Sequence, residues 1–455
     1  MQVAIKPPKW GVVGCFCAES ILLTKMMVSV NHPNPSPEAR RKVRMRKIVV
    51  GLLLLCLSTP AMAADSVKEM FASGKFKGKI ELMHYTRDFN KGVTDNQDQA
   101  IGGVFYYKTD SFKGISLGAA FATTNDLDSD DEKGTYGLLA ANHESVTRIQ
   151  EYYVQGDYFD TTVKVGGQEV FTPFLFIHPV RMMPRTFRGT SVVNKSVENL
   201  KLMAFYLDAA ADWDDENFVN ISKIAGPIYA NDGSVRDEAA IILGASYKLP
   251  IEGLDADVEA WGFKMDKVID QYYLKAKLCK KINDVMLFGC MMYADQKDDG
   301  DALRIRSTGK TGIDTYQFGV DAGVAAYGFT FVATYSKTGD DPVYDPWGYS
   351  KAIVQQVLNA GLLADEDAYA ARLSYDFSGL GAKGLSTYVF YAEYDGVATH
   401  SLESVDSNET NFDVQYAFSG SLEGLGLRVR HAIVDNYYGR GFDAKDTRFI
   451  VTYKF

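Results

Sequence analysis

The chain has 455 residues, 46% of them hydrophobic and 23% charged, with a formal net charge of −10. Tyr (27), Phe (26) and Gly (40) are plentiful and Pro (13) is scarce, a composition of strands and turns rather than helices. Beyond residue 63 no run approaches the roughly 20 apolar residues that a spanning helix requires, which excludes a multi-helix membrane protein.

Taken in chain order, residues 1–44 share no logic with the segment after them and read as a mis-assigned upstream extension before a true start at Met45. Residues 45–63, MRKIVVGLLLLCLSTPAMA, have basic residues, an apolar core from Ile48 to Leu57 and small residues ending at Ala61-Met62-Ala63. This is the layout of a secretory signal peptide, and its core is too short to span a bilayer. Leu55 before Cys56 argues against a lipoprotein signal. Its removal leaves 39 Lys/Arg against 56 Asp/Glu, a net charge near −17, which argues against a nucleic-acid partner. Cys15, Cys17 and Cys56 leave with the prefix. Cys279 and Cys290 flank a hairpin turning near Ile282-Asn283 and do not face each other, so no disulfide is expected.

The mature region, 64–455, contains about eighteen alternating segments of about ten residues each, the length of a tilted membrane-crossing strand. They run from 75–85, 99–109 and 114–124 to 410–419, 425–436 and 446–455. Tight connections (110–113, Asp160, 195–197, 249–252, 281–283, Ala326, 379–384) alternate with long ones (86–98, 125–147, 209–237, 296–312, 338–367); 265–268 is a short exception. Loop length segregated by parity is what an outer-membrane barrel needs, with short periplasmic turns and longer external loops. The faces agree. In KFKGKIELMHY, Phe76, Ile80 and Leu82 oppose Lys75, Lys77, Lys79 and Glu81; in GLRVRHAIV, Leu427, Val429 and Ile433 oppose Arg428 and Arg430; in YAARLSYDF, Leu373, Tyr375 and Phe377 oppose Arg372, Ser374 and Asp376. An antiparallel sheet with one solvated face gives the same local pattern, but loop parity and the secretion signal favour an all-β transmembrane antiparallel barrel in the outer membrane of a Gram-negative bacterium. The closing segment TRFIVTYKF must then pair with the first strand, because lipid cannot satisfy an open edge.

The third long connection lies within 168–191, QEVFTPFLFIHPVRMMPRTFRGTS, and is apolar where the others are acidic. Its prolines forbid a strand. Folded inward, it buries its aromatics on the wall, narrows the pore and turns Arg181, Arg185 and Arg188 toward the solute path. Packing on neighbouring external loops, or on a lipid-touching rim, is the alternative.

VGGQEVFTPFL followed by RMMPRTFRG resembles the stretch of OprD-type porins that ends in an R-M/L-x-P-x-T-F-x-G pattern. YADQKDDGDAL, FTFVATYSKTGDDPVYDPWG and LRVRHAIVDN resemble that family in the same order, so the likeness covers most of 66–455. The resemblance implies an eighteen-strand barrel of monomer size with an inward third loop. It further implies a ladder of basic side chains facing acids, and amino acids, small carboxylates and peptides as solutes. Arg428 and Arg430 match its paired arginines on the penultimate strand. Arg181 and Arg185 stand in the loop pattern, and Arg188 falls in the motif or on the next strand. Arg372 and Arg448 rest on strand parity, Asp376 is the expected acidic counterpart, and Phe455 resembles the signal read by the barrel-assembly machinery. A structural ion pair inside the barrel is the competing role for each arginine.

DLDSDDEKG (126–134) lacks the Gly and Glu of a calcium loop, and the six histidines show no metal spacing. No metal or cofactor is therefore expected. AIVQQVLNAGLL (352–363) reads as a short helix packed on the barrel. A passive pore for small polar solutes fits best, as a monomer or loose trimer. A structural or adhesive barrel, or a rim-located hydrolase, is the alternative, although no Ser/His/Asp cluster is evident.

Overall fold

The computed structural model describes residues 64–178, 181–224, 236–299, 312–398 and 403–455. The extension 1–44, the signal segment 45–63 with Cys56, and Cys15 and Cys17 lie outside the described residues. A short helix, α1 (Val67–Ala72), is capped by Ser66, whose Oγ accepts from Glu69 N at 3.1 Å. The strands come next: β1 (Lys75–Phe89), β2 (Asn96–Lys108), β3 (Ile115–Asp126), β4 (Val146–Tyr158), β5 (Thr161–Gln168), β6 (Thr186–Asn194), β7 (Leu200–Ala211) and the two-residue β8 (Val219–Asn220). After these are β9 (Ala240–Leu249), β10 (Asp255–Met265), β11 (Ile269–Ile282), β12 (Val285–Asp298), β13 (Asp314–Ala326) and β14 (Phe329–Thr338). The chain finishes with β15 (Ala364–Asp376), β16 (Leu385–Ala398), β17 (Glu403–Ala417), β18 (Leu425–Asp435) and β19 (Ala444–Lys454).

Each strand of the barrel pairs antiparallel with the next, β9 bypassing β8 to pair with β7. β8 is an extra fragment on the end of β7. β19 pairs with β1 from Lys454↔Lys79 to Ala444↔Phe89, which closes an eighteen-strand barrel. Phe455 continues the seam: its N donates to Gly78 O at 3.1 Å, its O accepts from Gly78 N at 3.0 Å, and its ring lies 5.7 Å from that of Phe76. Closure leaves no unpaired edge for lipid to meet.

Strand period sorts the side chains. On β1, Phe76, Ile80 and Leu82 are exposed on the outer face, while Glu81, Met83, Tyr85 and Arg87 are buried inside. On β18, Leu427, Val429 and Ile433 face out while Arg430, Ala432 and Val434 are buried. Two-residue turns at Phe159-Asp160, Asn283-Asp284 and Tyr327-Gly328 join strands at one end. Both residues of the first and last of these have positive φ, as tight hairpins demand, and Gly328 (φ 87°) meets that demand without strain. The longer connections collect at the other end. Strands β1 and β2 run further than expected, so the first of these shrinks to 90–95. Cys279 lies opposite Phe288 and Cys290 opposite Lys277, so the two do not face each other across the hairpin.

One expectation fails. Residues 352–363 form no helix; Val354 and Asn359 bridge an irregular turn whose residues, Leu362 apart, are buried in the barrel interior. The apolar positions pack on the inward faces of β15–β19, and neighbouring strands, rather than a helical ladder, satisfy its backbone amides.

Candidate functional site

The third loop (169–185) folds inward, as its apolar content demands. Phe174 and Leu175, fully buried, pack with the inward side chains Trp261, Phe263 and Tyr273 of the wall. The loop between β14 and β15 (339–363) joins them: Phe176 N donates to Trp347 O at 3.1 Å and Ser350 N donates to Pro173 O at 2.8 Å. Trp347 itself is buried against Phe263, with Nε1 donating to Ile221 O at 2.7 Å. An apolar plug thus fills the β6–β13 side of the lumen. The opposite wall is charged.

That wall carries one inward row across seven strands: Ser374, Tyr388, Asp413, Arg430, Arg448, Tyr85 and Asp98, each directly opposite the next. Period two brings Arg428 to the same face as Arg430. Asp413 is the shared counterion: Arg428 Nε donates to Oδ2 at 2.9 Å, and Arg430 Nε lies 3.0 Å from the same oxygen. Arg372, from β15, stacks over Tyr388 at 4.0 Å, and its Nε has no hydrogen-bond partner among the described residues. Two guanidinia therefore share a single carboxylate, and the third, Arg372, rests on the Tyr388 ring beside them. Arg430 is buried and Arg428 is about one-third exposed, so Arg428 is the rung turned most to the open lumen.

Arg430 directly faces Arg448, a like-charge pair that the geometry must neutralise. Asp446, fully buried, does so. Its Oδ1 accepts from Arg448 Nε and from Gln356 Nε2, both at 2.7 Å, and its Oδ2 accepts from Arg87 Nη2 at 2.7 Å and Tyr136 Oη at 2.6 Å. Arg448 also donates to Gln356 O at 2.8 Å. One carboxylate thereby ties the barrel seam to two loops, 127–145 through Tyr136 and 339–363 through Gln356.

The other expected residues divide. Arg181 is buried, donates from Nη1 to Tyr136 O at 2.8 Å and lies over the Tyr136 and Trp213 rings. Arg185 is buried in a bidentate pair with Asp212, 3.2 and 3.0 Å. Arg188 is not in the loop and not in the lumen: it stands on β6 opposite Gly167, on the outer face, paired with Asp208 at 3.0 Å. The side is set by Gly167, whose missing Cβ would meet the exposed ring of Tyr152. Its neighbour Phe187 takes the inward position instead. Asp376 shares Arg372's face but lies at the turn end of β15, exposed, accepting from Ser378 N at 2.8 Å. Asp413 and Asp446 fill the acidic role expected of it. Sequence reasoning also missed Arg87, which lies two residues beyond Tyr85 on the same face of a strand ended too early. It missed Arg148 too, which clamps the loops through Pro184 O at 2.6 Å and Asp215 O at 2.7 Å. Among the described residues no cluster of His, Cys, Asp and Glu could hold a metal ion.

A closed barrel with an inward loop and a charged inner wall defines a transmembrane β-barrel of the pore-forming class. The match to the family model for outer membrane porins of the OprD family runs over residues 72–455, and the chain belongs to that family. The fold is shared with solved structures at low identity. OpdK of Pseudomonas aeruginosa, crystallised with vanillate, is 22% identical over 85% of this chain and 99% of its own, with a TM-score of 0.72. OccK9 (OpdG) of the same organism is 21% identical over the same shares, with a TM-score of 0.74. A BenF-like porin of Pseudomonas fluorescens Pf-5 is 18% identical, again over 85% and 99%, with a TM-score of 0.74. No curated protein matches the chain in sequence. The family places it in the outer membrane.

Proposed function

We propose that the protein is a passive diffusion channel for small polar solutes bearing a carboxylate: small organic acids, amino acids and short peptides. The observation that carries this reading is the charge imbalance on the inner wall, where Arg428 and Arg430 share Asp413 and Arg372 has no ion pair among the described residues. Local charge at a constriction, not the net charge of the chain, governs which ions enter. A guanidinium offers paired donors that match a carboxylate, so an anionic group can exchange from one rung to the next without leaving a charged partner. The apolar plug of Phe174, Leu175 and Trp347 narrows the lumen on the other side and would face the uncharged body of the solute. OpdK was crystallised with vanillate, an aromatic carboxylate, which agrees in chemical class. The test is single-channel recording in a planar bilayer across a salt gradient. Discrete conductance steps with a reversal potential of anionic sign are expected; a sealed barrel, or cation preference, refutes the reading.

A further inference from the structure

The loop between β3 and β4 (127–145) reaches the lumen through Tyr136 and is held there by a contact that the pore chemistry does not use. His143 is buried in this loop. Its Nδ1 lies 2.9 Å from Asp98 Oδ1 and its Nε2 lies 3.1 Å from the backbone carbonyl of Lys133. Both partners are acceptors, a carboxylate oxygen and a carbonyl oxygen. Against an ionised Asp98, a neutral imidazole with one N–H and one lone pair can satisfy only one of them; the other would face lone pair to lone pair. Only the doubly protonated ring donates to both. The other oxygen of Asp98 accepts from Tyr136 N at 2.9 Å and Leu138 N at 2.7 Å. The same carboxylate therefore reads the ring's charge on one side and fixes the Tyr136 backbone on the other. Tyr136 Oη in turn donates to Asp446 and accepts from Arg448 Nη2 at 2.8 Å. The charged groups turned toward this pair from other elements are Arg181 of the third loop, and Asp126 at the end of β3, whose carboxylate is held by Ser129.

We propose that His143 and Asp98 form a proton-dependent latch that keeps the 127–145 loop seated over the pore. When the ring loses its second proton, one of its two hydrogen bonds is lost and the buried Asp98 carboxylate loses its counterion. The anchor on Tyr136 weakens, and the phenol that covers Arg87 and Arg448 withdraws. The pore mouth then flickers between a seated and a loosened loop, with Arg87 and Arg448 bared to the lumen in the second. The inference concerns regulation of the pore proposed above and rests on that reading, but its first test does not.

That test is nitrogen NMR of refolded protein carrying labelled histidine, with His143 assigned by its absence in His143→Gln. Both ring nitrogens are expected to carry protons while the loop is seated, the state that the two acceptors demand. A neutral ring in the seated loop overturns the latch whether or not the barrel conducts. The second test is single-channel recording from about pH 5 to about pH 10. Loosening events should increase toward tenfold per pH unit once proton loss limits them, the slope of a single-proton linkage. His143→Gln should flicker at all pH values with no slope. A wild type with no pH dependence, or a variant that keeps the wild-type slope, refutes the latch. A silent channel with a ring protonated as expected would refute the pore reading and leave the contact standing.

Discussion

Glu409 offers a direct probe of the loop that narrows the pore. It lies on the inner face of β17, fully buried, and its carboxylate accepts from three successive backbone amides of the β14–β15 loop. Gln356 N and Val357 N each lie 3.0 Å from Oε1, and Leu358 N donates to Oε2. Glu409→Gln keeps the shape and removes the charge. Hydrogen bonds to a charged acceptor contribute about 1.5–3 kcal/mol each, against about 0.5–1.5 kcal/mol for neutral ones. The amide oxygen can still serve Gln356 and Val357, but the amide nitrogen sets a donor against the donor of Leu358. The expected loss is about 2–4 kcal/mol of loop anchoring, a shift of roughly 30- to 900-fold in the ratio of seated to displaced loop. The barrel itself should persist, because its ladders do not involve this side chain. Single-channel recording should show frequent sub-conductance transitions and noisier open states than the wild type. An unaltered current trace from a folded Glu409→Gln barrel would refute the assignment of Glu409 as the anchor.

Arg428→Ala and Arg430→Ala should each lower anion preference without unfolding the barrel, while Asp413→Asn should raise it; reversal potentials unchanged in both arginine variants would remove those rungs from the solute path. Asp446→Asn leaves Arg87 and Arg448 buried beside one neutral amide, and breaking such a buried pair costs about 3–5 kcal/mol; a lower unfolding midpoint in denaturant is expected, and an unshifted one would show the seam is held elsewhere. Trp347→Ala opens a cavity in the apolar plug, costs about 3–5 kcal/mol and should raise unitary conductance. Deleting Phe455 removes two backbone hydrogen bonds at the seam and should lower the amount assembled in the outer membrane in cells, measured by heat-modifiable mobility, more than it lowers refolding in detergent.

The sequence disclosed the barrel because a barrel writes itself in short-range terms. Alternation in KFKGKIELMHY and GLRVRHAIV reflects a wall with lipid on one side and water on the other, and loop parity reflects two different ends. Those signals are local, so each of the eighteen barrel strands could be placed to within several residues. Arg428, Arg430, Arg372 and Arg448 were found the same way, since period two assigns a face without any knowledge of partners. The misses have separate causes. Asp376 has the right parity, but its height on the strand places it at the turn. Arg188 sits at a bulge, the Arg188/Gly189 step, and the local face cannot be read through it. The stretch 352–363 has a helical spacing of apolar residues, yet the interior strands supply carboxylates and carbonyls that satisfy its backbone better than a helix would.

By itself the sequence determined the class of fold, the seam, and which residues of the regular strands face the lumen, because period and loop length are properties of the chain alone. Only the tertiary structure decided which charges meet. Asp446 and Arg87 are separated by 359 positions and become neighbours solely because the last strand pairs with the first. Gln356, Tyr136 and Glu409 acquire their roles solely because loops fold back onto a wall built from distant strands. Pairing across a closed sheet and docking of loops are long-range events, and no window of sequence contains both partners.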